Sequence, residues 1–157
     1  MENQVMKKLA AACLAPGALQ AGMALPDVDI GLLGIGAHRS PIFHSAAIPL
    51  AAACGMRWLR RKIHARNPSL ARWVGGIGDT VVGLGAMAVG AHLLIDVFQP
   101  KAVLFPLIGS LVGGTLVDDG LWLGANGLAS IAIGIRCLRR AWLDESEHLA
   151  LAEPEHA

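Results

Sequence analysis

The chain has 157 residues, of which 54% are hydrophobic and 16% are charged, and its formal net charge is +1. Soluble domains carry roughly a quarter of charged residues, so this composition argues against an ordinary soluble protein. A net charge this small excludes a global field that would recruit nucleic acid, and we expect no nucleic-acid partner. Abundant glycine, at 19 residues, and few aromatics, at 4%, suit close packing of helices in lipid.

Four apolar segments are predicted to be transmembrane helices, because about 20 residues at roughly 1.5 Å per residue cross the hydrocarbon core. A fifth segment, 102–117, is shorter and contains Pro106, so we predict a re-entrant or interfacial segment there. Ser40 is expected to cap the second helix and Asp79 the third. The four predicted spans cover residues 9–25, 40–60, 80–98 and 121–138.

The N-terminal apolar segment also resembles a secretory signal peptide, whose removal would leave a secreted helical protein. We expect it to be retained as the first helix, because it leads directly into the motif LPDVD. Residues 1–143 then form a single transmembrane domain, and residues 144–157 form an acidic, mobile tail.

Clusters of Lys and Arg predict the orientation of the chain in the membrane. They lie at 7–8, 57–72 and 136–140. A four-span topology places all three clusters and both termini in the cytoplasm. Membrane lipids are the expected partners, and a homo-oligomer is compatible with the sequence.

The same topology brings ionisable residues to the outer membrane face. His92 and Asp96 are four residues apart and share one helix face. They can chelate a metal ion, form a histidine oriented by a carboxylate, or be a purely structural pair. Ionisable residues inside a span are costly and usually functional. His38, in a loop, and His44, in the first turn of the second helix, are either ligands or interfacial loop residues.

Two acidic residues and one arginine complete the set of candidates. Asp27 and Asp29 suit a hard divalent ion, although aspartate is also common in turns. Arg39 offers a cation to an anionic substrate such as a phosphate group.

The motifs LPDVD, HRSPIFHS and AHLLIDVFQPKAVLFP follow one another in this order. Together they resemble the LexA-regulated, membrane-bound predicted metal-dependent hydrolases of bacterial inner membranes, over residues 25–106. Ser40-Pro41 stands where that family prefers glycine, and Gln99 replaces its usual threonine. By motif position the resemblance carries over Asp27, Asp29, His38, Arg39, His44, Ser45, His92 and Asp96.

We therefore expect an all-α integral membrane bundle in the bacterial inner membrane, with a metal-dependent hydrolase site at its outer face. The expected metal ligands are His38, His44, His92 and Asp96. The expected catalytic residues are Asp27, Asp29 and Arg39. The cofactor is a divalent ion, Zn²⁺ first and Mn²⁺ or Mg²⁺ next, and the substrate is a phosphoester or lipid-linked. The alternative is a non-catalytic membrane assembly component, or an ion or proton transport component, whose His/Asp cluster is structural.

Overall fold

A computed structural model of the chain describes residues 2–33, 41–98 and 119–152, and the regular secondary structure within these ranges is entirely helical. This confirms the all-α prediction for the described part. Within these described ranges, two helices are long and apolar enough to cross a membrane, Pro68–Asp96 and Gly120–Ala141. The other predicted crossings stay predictions, and segment 102–117 lies outside the described residues. The helices are α1 (Glu2–Ala24), α2 (Val28–Leu33), α3 (Ala47–His64), α4 (Pro68–Asp96) and α5 (Asp119–Ala152).

The observed helix boundaries differ from those that the sequence predicted. Helix α3 begins at Ala47 without a side-chain cap, and residues 41–46 form turns, so the helix start predicted at Ser40-Pro41 is wrong. Helix α4 begins well before Thr80. Asn67 caps it, with a side-chain oxygen 2.9 Å from the backbone nitrogen of Leu70, and a proline follows in the first turn. The cluster of Lys and Arg at 57–72 is therefore largely helical.

Helix α5 also differs from its prediction at the C-terminal end. It continues from Asp119 to Ala152, so the boundary expected between residues 143 and 144 falls inside a helix. The mobility of the acidic tail stays a prediction.

Helix α4 is the centre of the bundle, because α1, α3 and α5 all pack against it. Helices α4 and α5 are in backbone-to-backbone contact at glycine residues. A Cβ atom on Gly134 would lie 2.6 Å from the carbonyl oxygen of Gly83, and one on Gly90 would lie 2.7 Å from that of Gly127. We call these four residues the glycine seam. Small residues let helices approach this closely, as in membrane helix pairs.

Large apolar side chains lie mostly on the outside of the described structure. The buried apolar cluster consists of Val89, Leu93 and Leu123. In contrast, Phe98 is 87% exposed and Trp58 is 61% exposed. Soluble proteins rarely leave extensive apolar surface uncovered. This distribution favours lipid as the surrounding medium.

Asp79 does not cap a helix, contrary to the prediction, because it lies inside α4 with a side chain only 3% exposed. Arg140 of α5 donates to both of its carboxylate oxygens, at 2.8 and 3.3 Å. The guanidinium of Arg60 on α3 lies 3.7 Å away. Asp79 on α4 therefore links α3 and α5 through its two arginine neighbours. Removing one partner of a buried ion pair is strongly destabilising. Asp79 lies about 25 Å along α4 from Asp96.

Candidate functional site

Five ionisable side chains from three parts of the chain meet at the C-terminal end of α4. We call this group the His/Asp cluster. Its members come from the turn between α1 and α2 with the first turn of α2, from the turns before α3, and from the last two turns of α4. They are Asp27, Asp29, His44, His92 and Asp96.

The two carboxylates of LPDVD are aimed into the cluster by a tight turn. Pro26 is fully buried and follows the end of α1, where proline disfavours further helix. The backbone nitrogen of Ile30 donates to the carbonyl oxygen of Asp27 at 3.1 Å, which closes the turn. Asp29 in the first turn of α2 is completely buried, whereas the Asp27 side chain is 47% exposed. The two carboxylates therefore face different surroundings.

His44 lies between two carboxylates and is completely buried. Its Nδ1 atom is 3.3 Å from Oδ2 of Asp29, and its Nε2 atom is 3.5 Å from Oδ2 of Asp96. The imidazole thus bridges α2 and α4. Asp29 therefore lies on the Nδ1 side of the ring, and Asp96 lies on the Nε2 side.

His92 is arranged in the same way from the opposite side. Its Nδ1 atom lies 2.7 Å from the carbonyl oxygen of Met23, which can only accept, so this contact requires a protonated Nδ1. Its Nε2 atom is 3.4 Å from Oδ2 of Asp96 and 3.7 Å from Oδ1 of Asp27. The four-residue spacing of His92 and Asp96 places both on one face of α4. Both histidines therefore turn Nε2 toward carboxylate oxygens.

The separations of these atoms are compatible with ligation of one metal ion as well as with ion pairing. Charge-assisted hydrogen bonds between nitrogen and oxygen span about 2.7–2.9 Å. Ligands about 2.1 Å from a tetrahedral zinc ion lie about 3.4 Å from one another. The Nε2-to-carboxylate distances of 3.4, 3.5 and 3.7 Å are close to the second value. Asp27, His44 and His92 each offer a ligand atom within 4.8 Å of the others.

Two side chains of α5 hold the turns that carry His44. The indole nitrogen of Trp122 donates to the His44 carbonyl oxygen at 3.1 Å. The side-chain oxygen of Asn126 accepts from the Ala46 backbone nitrogen at 3.0 Å. The amide nitrogen of Asn126 in turn donates to the Trp122 carbonyl oxygen at 2.9 Å. A segment without regular secondary structure is thereby fixed against a long helix.

Ser45 stabilises the same turns locally. Its hydroxyl donates to the Ile42 carbonyl oxygen at 3.0 Å and accepts from the Ala47 nitrogen at 3.2 Å. This hydroxyl therefore holds the turn that precedes α3 and does not face the cluster as a nucleophile.

The structure describes some of the predicted site residues and not others. The structure brings Asp27, Asp29, His44, His92 and Asp96 together. His38 and Arg39 lie outside the described residues, so their roles stay predictions. The prediction that His44 lies in the first turn of a helix is wrong, because it lies in the turns before α3. Sequence reasoning missed Trp122 and Asn126, whose four-residue spacing on one helix face was the available signal.

Comparison with protein-family models, with curated proteins and with solved structures finds no match for this chain. The interpretation of the His/Asp cluster accordingly rests on its own geometry and chemistry.

Proposed function

We propose that the chain is a membrane-bound, metal-dependent hydrolase whose His/Asp cluster binds one divalent ion. The observation that carries the proposal is the pair of histidines with matching orientation. Each has an oxygen beside Nδ1, and each turns Nε2 toward Asp96 Oδ2, at 3.5 Å from His44 and 3.4 Å from His92. Histidines that bind metal commonly have an oxygen partner on the distal nitrogen.

The chemistry of the donors limits which ion fits. His44 and His92 supply imidazole nitrogens, and Asp96 supplies a carboxylate placed between them. Asp27 lies 3.7 Å from Nε2 of His92, on the exposed side of the cluster. His38 is a further ligand in this proposal. A mixed nitrogen and oxygen set suits Zn²⁺ and then Mn²⁺, whereas Mg²⁺ prefers oxygen alone.

The remaining residues have distinct tasks in the proposed reaction. A bound divalent ion lowers the pKa of coordinated water toward neutrality and so supplies hydroxide. Asp27, at the exposed side, accepts the proton of the attacking water. Asp29 holds Nδ1 of His44 and so orients that imidazole. Arg39 stabilises the negative charge that develops as the ester bond to phosphorus breaks.

The membrane setting is part of the same proposal. Helix α4 and residues Gly120–Ala141 are the candidate spans, and the cationic residues collect at the end of α4 opposite the cluster. By the positive-inside rule, that end is cytoplasmic and the cluster faces outward. We propose four crossings of a bacterial inner membrane with both termini inside. The substrate is a phosphoester or lipid-linked compound, and one chain can supply the cluster without a second copy.

The test uses the full chain purified in detergent. We expect one divalent ion per chain by elemental mass spectrometry. Chelation should abolish hydrolysis of bis(4-nitrophenyl) phosphate, and added Zn²⁺ or Mn²⁺ should restore it, because the ion supplies the nucleophile.

The control is the double variant His44→Ala/His92→Ala, checked for folding by circular dichroism and size-exclusion chromatography. Metal content in the wild type no higher than in this variant would refute the proposal. Stoichiometric metal without hydrolysis of this ester or of a phosphatidic acid would instead favour the structural or transport alternative.

Trp122 and Asn126 are expected to act through His44 and not by contact with the ion. Trp122→Phe keeps the ring and removes the donor to the His44 carbonyl, while Asn126→Leu removes the acceptor for Ala46. Loss of such supporting contacts typically costs about 10-fold or more in metal affinity. We expect each variant to bind Zn²⁺ about 10-fold more weakly, measured by competition with a chromophoric chelator.

The matched control is Trp73→Phe, at an exposed tryptophan near the other end of α4. It should leave Zn²⁺ affinity unchanged. If Trp122→Phe lowers the melting temperature but not the affinity, Trp122 is merely structural and its assignment as a positioning residue fails.

A further inference from the structure

A groove between α1 and α3 runs along α4, and its lining extends as far as Leu25 and Val89. Its volume is about 210 Å³, and its walls are Ala18 to Leu25 of α1, Pro49 and Ala52 of α3, and Val81 to Val89 of α4. Every lining residue is glycine, alanine, valine, leucine or proline. The rim residues Ala21 and Ala52 are exposed, so the groove opens sideways.

Each wall of the groove is formed by a segment that lies close in the sequence to a member of the His/Asp cluster. Leu25 on α1 is two residues before Asp27 and packs against the buried apolar cluster beside α4. Val89 on the floor is three residues before His92, one turn away on the same helix face. Pro49 is five residues after His44. The lining of the groove beside a candidate span is thus only a few residues along the chain from members of the His/Asp cluster.

We propose that this groove holds one hydrocarbon chain of a phosphoester lipid whose headgroup reaches the His/Asp cluster. The inference rests on the proposed function and names its substrate class. Along α4 the lining from Val81 to Val89 extends about 12 Å. That is enough to seat the part of an acyl chain nearest its headgroup.

The groove selects by shape and by position, not by hydrophobicity. Lipid tails are as apolar as the side chains that line it, so moving a chain from bilayer to groove yields little hydrophobic gain. Small residues leave a slot that one unbranched chain can fill. A chain lying there with its headgroup beyond Leu25 and Val89 brings the phosphate group toward Asp27 and His92.

The test is photocrosslinking of the full chain in phosphatidylcholine vesicles. The probe is phosphatidic acid with a diazirine on one acyl chain, and labelled peptides are identified by mass spectrometry. We expect labelling to concentrate on the groove walls in α1, α3 and α4. Ala52→Phe and Ala21→Phe narrow the groove from either rim and should remove that labelling. Ala51→Phe, at the neighbouring exposed residue that does not line the groove, should leave it intact.

Three results would overturn the inference. They are labelling spread evenly over the outward surfaces of the helices, labelling that survives Ala52→Phe, and absence of label in the groove because another part of this chain occupies it. Metal content, measured on the same samples, separates the two proposals. Groove labelling without bound metal refutes the hydrolase and leaves the lipid site, whereas bound metal without groove labelling refutes only the lipid site.

Discussion

Replacing His92 with alanine is expected to weaken Zn²⁺ binding by more than about 100-fold, because loss of a ligand exceeds the 10- to 100-fold cost of losing a supporting contact. The Nε2 atom of His92 lies 3.4 Å from the proposed ligand Asp96 and 3.7 Å from the proposed base Asp27. Its side chain is 13% exposed, whereas that of His44 is fully buried. Truncation at His92 therefore leaves the smaller defect in packing, and the fold should persist.

Asp29→Asn tests whether loss of an orienting residue lowers Zn²⁺ affinity less than loss of a ligand does. Asp29 lies 3.3 Å from Nδ1 of His44, the nitrogen that points away from the proposed ion. Asparagine keeps the shape and an acceptor oxygen but loses the charge. We expect Zn²⁺ affinity to fall by about 10-fold, the lower end of the range for orienting partners.

Competition titration with a chromophoric chelator measures both variants, and His64→Ala is the control. His64 is exposed at the end of α3, away from the cluster, and its removal should leave the affinity unchanged. Equal losses for Asp29→Asn and His92→Ala would contradict the division into ligand and orienting residue. Unchanged affinity in His92→Ala would contradict the metal site itself.

Gly134→Ala is expected to destabilise the bundle by about 2–3 kcal/mol, the cost of forcing an extra methyl group into a well-packed contact. The new Cβ atom would lie 2.6 Å from the Gly83 carbonyl oxygen and 3.1 Å from the Met87 backbone nitrogen. Neither backbone atom can rotate away as a side chain does. Helices α4 and α5 would have to separate, which weakens the largest helix contact of the described structure.

Gly124→Ala on the same helix is the matched control, because its stability change should have the opposite sign or be close to zero. There the nearest atom to a new Cβ is Cγ2 of Val97 at 4.0 Å, an ordinary contact. Alanine is the better helix former by up to about 1 kcal/mol, so this variant should be neutral or stabilised. Thermal unfolding in detergent, followed by circular dichroism, measures both. Equal melting temperatures for the two variants would show that the glycine seam does not set the helix distance.

The glycine seam also bears on the His/Asp cluster. Gly90 is two residues before His92, and its contact Gly127 is next to Asn126, which holds the turns that carry His44. The close approach of α4 and α5 at this point therefore sets the distance between the two histidines. Their ring centroids are 6.2 Å apart.

Local periodicity was sufficient to predict part of this protein. An all-α chain follows from long apolar segments rich in small residues, and the shared face of His92 and Asp96 follows from the helical repeat alone. The order of acidic and histidine motifs identified five residues that the structure brings together. These inferences required only neighbours within a turn or two and the distribution of charge.

Contacts between residues distant in the chain decided the rest. Trp122 and Asn126 reach His44 and Ala46 across 78 and 80 residues, and no local pattern encodes that pairing. Asp79 looked like a helix cap because aspartate favours caps, but Arg140, 61 residues away, makes it a buried ion-pair partner instead. Asp27 and Asp29 are equivalent in the sequence, and only the packing of α2 under His44 buries one and leaves the other exposed. Burial and electrostatic pairing depend on what the tertiary fold places opposite a side chain. For this reason the sequence proposed the members of the cluster, and only the structure distinguished their burial and their partners.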